Sequence, residues 1–167
     1  SGSGKSSILR VIAGLSRPNK GKILFNNKII SSKNKLVPTG KRNIGLMFQE
    51  DVLFPHLTVY ENVAFGLKSL LKKQKEKLVN NYLKKFGIYE KKNDYPNVLS
   101  GGEKQRASLA RILITKPKVL LMDEPFSNLD NNLRKDICDF TLNILKKNKI
   151  TVIFVTHDIE EALRVSD

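Results

Sequence analysis

From Ser6 to Leu15 the apolar positions Ile8, Leu9, Val11, Ile12 and Leu15 recur at helical spacing, and Gly14 with Pro18 marks where that helix should stop. A shorter period follows. In KILFNNKII two brief apolar runs flank Asn26 and Asn27, a pattern that predicts a hairpin. NIGLMFQ reads as a short buried strand ending at Gln49. From Thr58 the pattern turns helical, and Thr58 with Glu61 has the capping-box spacing, in which each side chain satisfies a free backbone N–H at the helix start. Ser100 and Glu103 repeat that spacing ahead of a helix over 104–114. KVLLMDEP then predicts a buried strand stopped by a proline, and ITVIFVTHD predicts another.

Strands that are continuous apolar runs, alternating with helices, belong to a mostly parallel sheet covered on both faces. The expected fold class is therefore α/β. Residues 50–98 interrupt the alternation with helical, strand-poor sequence, which predicts a helical subdomain, over about 50–115, inserted into the sheet domain. No internal repeat or low-complexity linker is visible.

Composition changes this picture little. The 167 residues are 40% apolar, ordinary for one soluble globular domain. No apolar run approaches the ~20 residues that span a bilayer, and the first residues lack the layout of a secretion signal, so a cytoplasmic chain is expected. The single cysteine, Cys138, lies in the apolar-periodic segment 133–145, which excludes a disulfide framework and predicts a buried structural thiol. The net charge of +14 could be the footprint of a nucleic-acid binder. Its distribution argues otherwise: lysines are spread along the chain, and the densest stretch, 68–92, interleaves Lys72, Lys73, Lys75, Lys77, Lys84 and Lys85 with Leu71, Leu78, Leu83 and Phe86. That is the pattern of amphipathic helices with a solvated, or anionic-membrane-facing, basic side.

Three stretches carry candidate chemistry. SGSGKSS, Ser1 to Ser7, places glycines where backbone must approach phosphate oxygens, and the helix after it aims its N-terminal N–H groups at the anion. Lys5 would reach the β and γ phosphates and Ser6 would offer its hydroxyl to Mg²⁺. Taken alone, the stretch is also readable as a Gly/Ser-rich tight turn. Far downstream the run 119–122 delivers Asp123 and Glu124 at a strand's C-terminal end, the edge where open α/β sheets bind ligands. Asp123 is placed to hold a Mg²⁺ shell and Glu124 to accept a proton from an attacking water, although DEP by itself also suits a helix or turn cap. In LSGGEKQR, Leu99 to Arg106, Gly101 and Gly102 open a helix and bare its N-terminus, which makes a second anion site without a lysine of its own.

LSGGEKQR closely resembles the signature sequence of ABC ATPases, the nucleotide-binding subunits of ATP-binding-cassette transporters. The rest of the chain resembles that family in order: SGSGKSS the P-loop, Gln49 in MFQE the Q-loop, VLLMDEP the Walker B strand, Ser127 to Asp130 (SNLD) the D-loop, and His157 in VTHD the switch histidine. The resemblance implies a P-loop NTPase domain over 1–167 in which the signature of one subunit closes on ATP held by the P-loop of a second. It implies ATP and Mg²⁺ as cofactors. It places Glu124, His157 and Gln49 in catalysis, and Ser6, Gln49 and Asp123 at the metal. It places Ser1, Gly2, Ser3, Gly4, Lys5, Ser6 and Ser7, with Ser100, Gly101, Gly102, Glu103 and Asp130, at the nucleotide. It further implies that the chain covers the middle of such a domain, N- and C-terminally truncated, with the first P-loop glycine, the strand leading into it, the adenine-stacking aromatic and the last strands outside it.

EDVLFPHLTVYENVAFGL, Asp51 to Leu67, is similar to the corresponding segment of importer ATPases of the iron(III), polyamine, molybdate and sugar type. In those proteins it lies near the groove that receives the membrane subunit, so Phe54, Pro55 and Leu57 are equally readable as partner contacts or as packing of the helical subdomain. The implied partners are a transmembrane permease subunit, a second nucleotide-binding subunit, as a homodimer, and a solute-binding protein, with no nucleic acid, and the implied place is the cytoplasmic face of the cell membrane, peripheral through the permease. The alternative is an ABC-type ATPase acting on nucleic acid or ribosomes. Against the chromosome-associated kind, the interval between P-loop and signature lacks sustained heptads.

Overall fold

The computed structural model describes residues 4–47, 53–67, 70–127, 129 and 131–165, the side chains of 131–133 excepted. The predicted positions Ser1, Gly2, Ser3, Gln49 and Asp130 lie outside the described residues.

The first helix, α1 (Lys5–Ala13), ends where the sequence says it should: Gly14 adopts a left-handed φ of 86°, and its N–H donates to the carbonyls of Arg10 and Val11. A hairpin of β1 (Lys22–Phe25) and β2 (Lys28–Ser32) follows, antiparallel with Phe25 opposite Lys28. Its two turn residues, Asn26 and Asn27, have φ of 48° and 61°, the left-handed pair whose twist matches that of the flanking strands. The second sheet is parallel: β3 (Ile44–Met47), β4 (Val119–Asp123) and β5 (Thr151–Val155), with β4 in the middle.

Between β3 and β4 the described residues include α2 (Val59–Ala64), α3 (Lys72–Lys85) and α4 (Gly101–Leu113). The last of these begins three residues before the expected 104, because the capping box at Ser100 makes Gly101 its first helical residue. After β4 comes α5 (Asn131–Lys147), and after β5 comes α6 (Ile159–Val165).

Side chains alternate across the parallel sheet, as the two-residue strand period requires. Leu120 and Met122 join Met47, Val152 and Phe154 in a core shared with α2, α3, α4 and α5. Val119 and Leu121 face the other way, with Ile44, Leu46 and Val155, and are covered by Leu9 and Ala13 of α1. Both faces of β4 are therefore buried, which is why its sequence is an unbroken apolar run. Cys138 is buried in the larger core, and burial pushes its thiol up to about 11, which suits the inert structural role expected of it.

Both capping boxes form. The side chain of Thr58 accepts from Glu61 N–H while the Glu61 carboxylate accepts from Thr58 N–H at 2.8 Å, and Ser100 and Glu103 do the same, also at 2.8 Å. Two further N–H groups at the start of α2, on Val59 and Tyr60, donate to the carbonyls of Asp94 and Lys92. The N–H bonds from Thr58 and Ser100 hold the carboxyls of Glu61 and Glu103 below the ordinary glutamate range. A depressed carboxyl stabilises the folded state fully above its unfolded value, about 4.3, and loses that contribution as pH falls through the folded value. Thermal melts taken from pH 6 down to 3 should therefore show a loss below about pH 4.3 that Glu61→Gln and Glu103→Gln together reduce. An unchanged acid limb in the double variant would show that the boxes contribute nothing to it.

Candidate active site

The parallel register aligns the ends of the strands. Met47 at the end of β3 stands opposite Met122, and Asp123 at the end of β4 stands opposite Val155 at the end of β5. The residues that follow β4 and β5 consequently emerge side by side, which is how Glu124 and His157 meet although 33 positions separate them. Nδ1 of His157 lies 3.3 Å from Oε1 of Glu124. The imidazole is 74% exposed, whereas the Glu124 side chain is 22% exposed, so the pair presents the histidine outward over a sheltered carboxylate.

Glu124 is also set apart by its backbone. Its φ is 49°, left-handed for a residue with a Cβ, a conformation that costs about 1–2 kcal/mol. The surroundings hold it there: its N–H donates to the carbonyl of Val155 at 2.8 Å, and its own carbonyl accepts from the N–H of Ser127 at 3.3 Å and from the Ser127 hydroxyl at 3.0 Å. Such strain persists where neighbours over-determine it, and it marks candidate functional positions. Asp123 is buried at 6% exposure.

Gly4 caps α1 with a φ of 81°, and Lys5, Ser6 and Ser7 form its first turn, all exposed. A glycine cap has no side chain to occupy the helix N-terminus, so the start of α1 suits an oxyanion. The oxygens of Ser6 and Asp123 are the hard donors Mg²⁺ prefers. Among the described residues no group of three or more His, Cys, Asp or Glu side chains forms a metal cage, and Mg²⁺ on nucleotides uses one or two protein oxygens in place of such a cage.

Ser100, Gly101, Gly102 and Glu103 stand at the start of α4, on the helical side of the molecule. Among the described residues no hydrogen bond or ion pair joins them to Glu124 or His157. The Glu103 carboxylate is engaged in capping Ser100, which leaves the N–H groups of the two glycines as the donors this terminus can offer. The cavity lined by Glu124, Ser127, Thr156, His157, Asp158 and Glu161 holds about 60 Å³, far below the ~300–1,000 Å³ of a ligand pocket. A nucleotide near Glu124 would have to lie on an open face.

Several polar residues here were not legible as site residues. Asp158 Oδ1 accepts from Glu160 N–H at 2.8 Å and Glu161 N–H at 3.2 Å, capping α6. The Thr156 hydroxyl accepts from Asp158 N–H at 3.0 Å and donates to Glu161 Oε2 at 2.8 Å. Asp158 with Glu161 has a helix-start spacing, the one signal that could have found them. Elsewhere Asn62, fully buried in α2, accepts from Phe54 N–H at 2.8 Å and donates to the carbonyls of Phe54, Leu57 and Thr58 at 3.0–3.1 Å. It moulds the 54–58 loop, on which Phe54 packs against the half-exposed Phe65 ring at 4.5 Å and beneath the Arg111 guanidinium at 5.1 Å.

The family model described as ABC transporter matches residues 1–127. The chain is 43% identical to the Fe(3+) ions import ATP-binding protein FbpC of Haemophilus influenzae (strain 86-028NP), over all of this chain and 48% of that protein. It is 49% identical to the FbpC of Fusobacterium nucleatum subsp. nucleatum, over all of this chain and 44% of that protein. With the sulfate/thiosulfate import ATP-binding protein CysA of Mycobacterium bovis it shares 44% identity, over all of this chain and 47% of that one. The chain thus spans about half the length of these relatives. Among solved structures, a dimeric ATP-binding cassette in a post-hydrolysis state bound to ADP and Pi superimposes with a TM-score of 0.85 at 31% identity, covering 96% of this chain and 73% of that one. A second dimeric structure, of a bacterial ABC transporter cassette, gives 0.86 at 32%, covering 98% and 74%.

Proposed function

The chain belongs to the ABC transporter family of importer-type ATP-binding proteins, and from that premise we propose that it binds and hydrolyses ATP at a head-to-tail dimer interface to drive import of an ion or small solute. The observation that carries this reading is the Glu124–His157 pair, a sheltered carboxylate 3.3 Å beneath an exposed imidazole at the strand-end edge. Glu124 takes a proton from the attacking water, and His157 orients the carboxylate and reaches the γ-phosphate. Gly4, Lys5, Ser6 and Ser7 cradle the phosphates, with the Ser1, Gly2, Ser3, Gln49 and Asp130 roles as the resemblance implies. Ser6, Asp123 and Gln49 would hold Mg²⁺, which would supply charge neutralisation at the phosphates.

The open face beside Glu124 supports a composite site, since a surface from a second subunit would exclude water from it. Gly101 and Gly102, with Ser100 and Glu103 forming their cap, are that surface. On this reading residues 1–167 are one nucleotide-binding domain with a helical part at about 50–115, lying at the cytoplasmic face of the membrane through a permease. Among the described residues no helix is long and apolar enough to cross a membrane. The loop that Asn62 moulds, with Phe54 partly exposed and Pro55 exposed beside Phe65, is the permease contact, and a solute-binding protein completes the system.

The test is Gly101→Asp in the full-length protein. An acidic residue in the first turn favours the helix, so α4 should persist, while the new carboxylate meets the partner's γ-phosphate with like charge. ATP binding by the monomer should survive and ATP-driven self-association should weaken about tenfold, or 1.4 kcal/mol. Unaltered association and hydrolysis in this variant would remove the composite site.

A further inference from the structure

Arg134 has no part in the chemistry assigned to Glu124 and His157, yet its guanidinium holds both of the segments that carry them. Nη2 donates to the carbonyl of Leu129 at 3.1 Å, and Nη1 lies 3.7 Å from Oδ2 of Asp158. The Leu129 end is tied back toward Glu124: Leu129 N–H donates to the Phe126 carbonyl, and Ser127 bonds twice to the Glu124 carbonyl. The Asp158 end leads to His157, whose neighbours on both sides are fixed, Thr156 by its bonds to Asp158 and Glu161 and Asp158 by capping α6. His157 itself is left exposed between two pinned residues.

Stability does not account for this bridge. An ion pair at 3.7 Å with side chains 29% and 34% exposed contributes little in water, and it immobilises a long side chain. Arg134 Nε is moreover buried without a hydrogen-bond partner among the described residues, which disfavours the arrangement further. What a guanidinium supplies that other side chains do not is a rigid planar fork, two donors at a set separation. Here the fork spans the loop behind Glu124 and the cap beside His157, and Arg134, Glu124, Ser127, His157 and Asp158 line the same small cavity.

We propose that Arg134 is a positioning residue for the Glu124–His157 pair, its fork setting the distance between the loop that carries the carboxylate and the loop that carries the imidazole. This rests on the reading of Glu124 and His157 as the hydrolytic pair. Displacing a reacting group by about 1 Å costs on the order of 10²-fold in rate, so a loosened brace lowers turnover without removing any group that touches ATP.

The experiment compares steady-state ATP hydrolysis by full-length wild type, Arg134→Ala, Arg134→Gln, Arg134→Lys, Asp158→Asn and the Arg134→Ala/Asp158→Asn double variant, with thermal midpoints for each. In Arg134→Ala, kcat should fall about tenfold or more while KM for ATP stays within about threefold. Arg134→Lys should recover part of kcat, because one charged donor remains, and Arg134→Gln should recover less. The double variant should be no slower than the slower single one, since both break the same brace. An Arg134→Ala protein within about twofold of wild-type kcat overturns the proposal. So do additive losses, or a fall in kcat that only follows the thermal midpoint with Lys no better than Gln. Should Arg134→Ala fail to fold, the Lys and Gln variants carry the comparison. A wild type without ATPase activity would defeat the reading of the pair itself, whereas an active wild type matched by its variants defeats this inference alone.

Discussion

Glu124→Gln in the full-length protein is expected to bind ATP as the wild type does while turnover falls about 10²–10⁴-fold, the usual contribution of a positioned general base. The amide has the shape of the carboxylate and can occupy the same place over the Ser127 turn, but it cannot accept a proton from water. The left-handed backbone at this position and the nearby His157 Nδ1 are both retained in the variant, so the loss isolates proton transfer from geometry. Lys5→Ala is the contrasting change, because a lysine at the helix N-terminus contributes to holding the phosphates and its removal should weaken affinity first. Nucleotide titrations alongside single-turnover hydrolysis separate the two. Near-normal turnover by the Glu124 variant would take that residue out of the reaction.

Arg42→Leu should destabilise the fold by about 3–5 kcal/mol, a large share of a typical domain's 5–15. Arg42 is 3% exposed, and its guanidinium donates to the carbonyls of Val37 at 2.7 Å, Ile12 at 2.7 Å and Ile30 at 2.9 Å. One side chain thereby ties the end of α1 to β2 and to the segment leading into β3. Burial pushes the guanidinium below its ordinary value, but an arginine keeps its charge in such a site, and the three carbonyls supply the solvation that water would. A leucine removes the donors: the carbonyls of Val37 and Ile12 are left unpaired, at about 1–3 kcal/mol each before relaxation, while that of Ile30 keeps the Val37 N–H at 2.9 Å. Gly14 belongs to the same arrangement: a Cβ there would collide with the Arg42 guanidinium, and its left-handed φ disfavours any side chain. Gly14→Ala should therefore cost a similar amount, and the two losses should not add, because they disrupt one contact. Denaturant midpoints of the two single variants and the double variant check both statements. A loss under about 1 kcal/mol for Arg42→Leu would mean that water reaches the unpaired carbonyls.

The hairpin at Asn26 and Asn27, the capping boxes at Thr58 and Ser100, the Gly14 stop and the apolar run of β4 were all readable in the sequence, as was the α/β class they add up to. Each depends on interactions within a few residues, where side-chain chemistry acts directly on its own backbone. The candidate chemistry at Lys5, Ser6, Gly101, Asp123 and Glu124 was readable as short motifs placed at strand ends and helix starts, and His157 entered through the family resemblance of VTHD. The tertiary structure decided what those motifs face. That Glu124 and His157 meet follows from β4 and β5 ending in register, a pairing across 33 positions that no local pattern specifies. Arg42, Asn62 and Arg134 carry no such local signal, because an isolated arginine or asparagine is by default a solvated surface residue. Burial reverses that default. Once packing removes water from the carbonyls around it, a polar side chain becomes the only donor available, and its importance is set by neighbours that are distant in the chain.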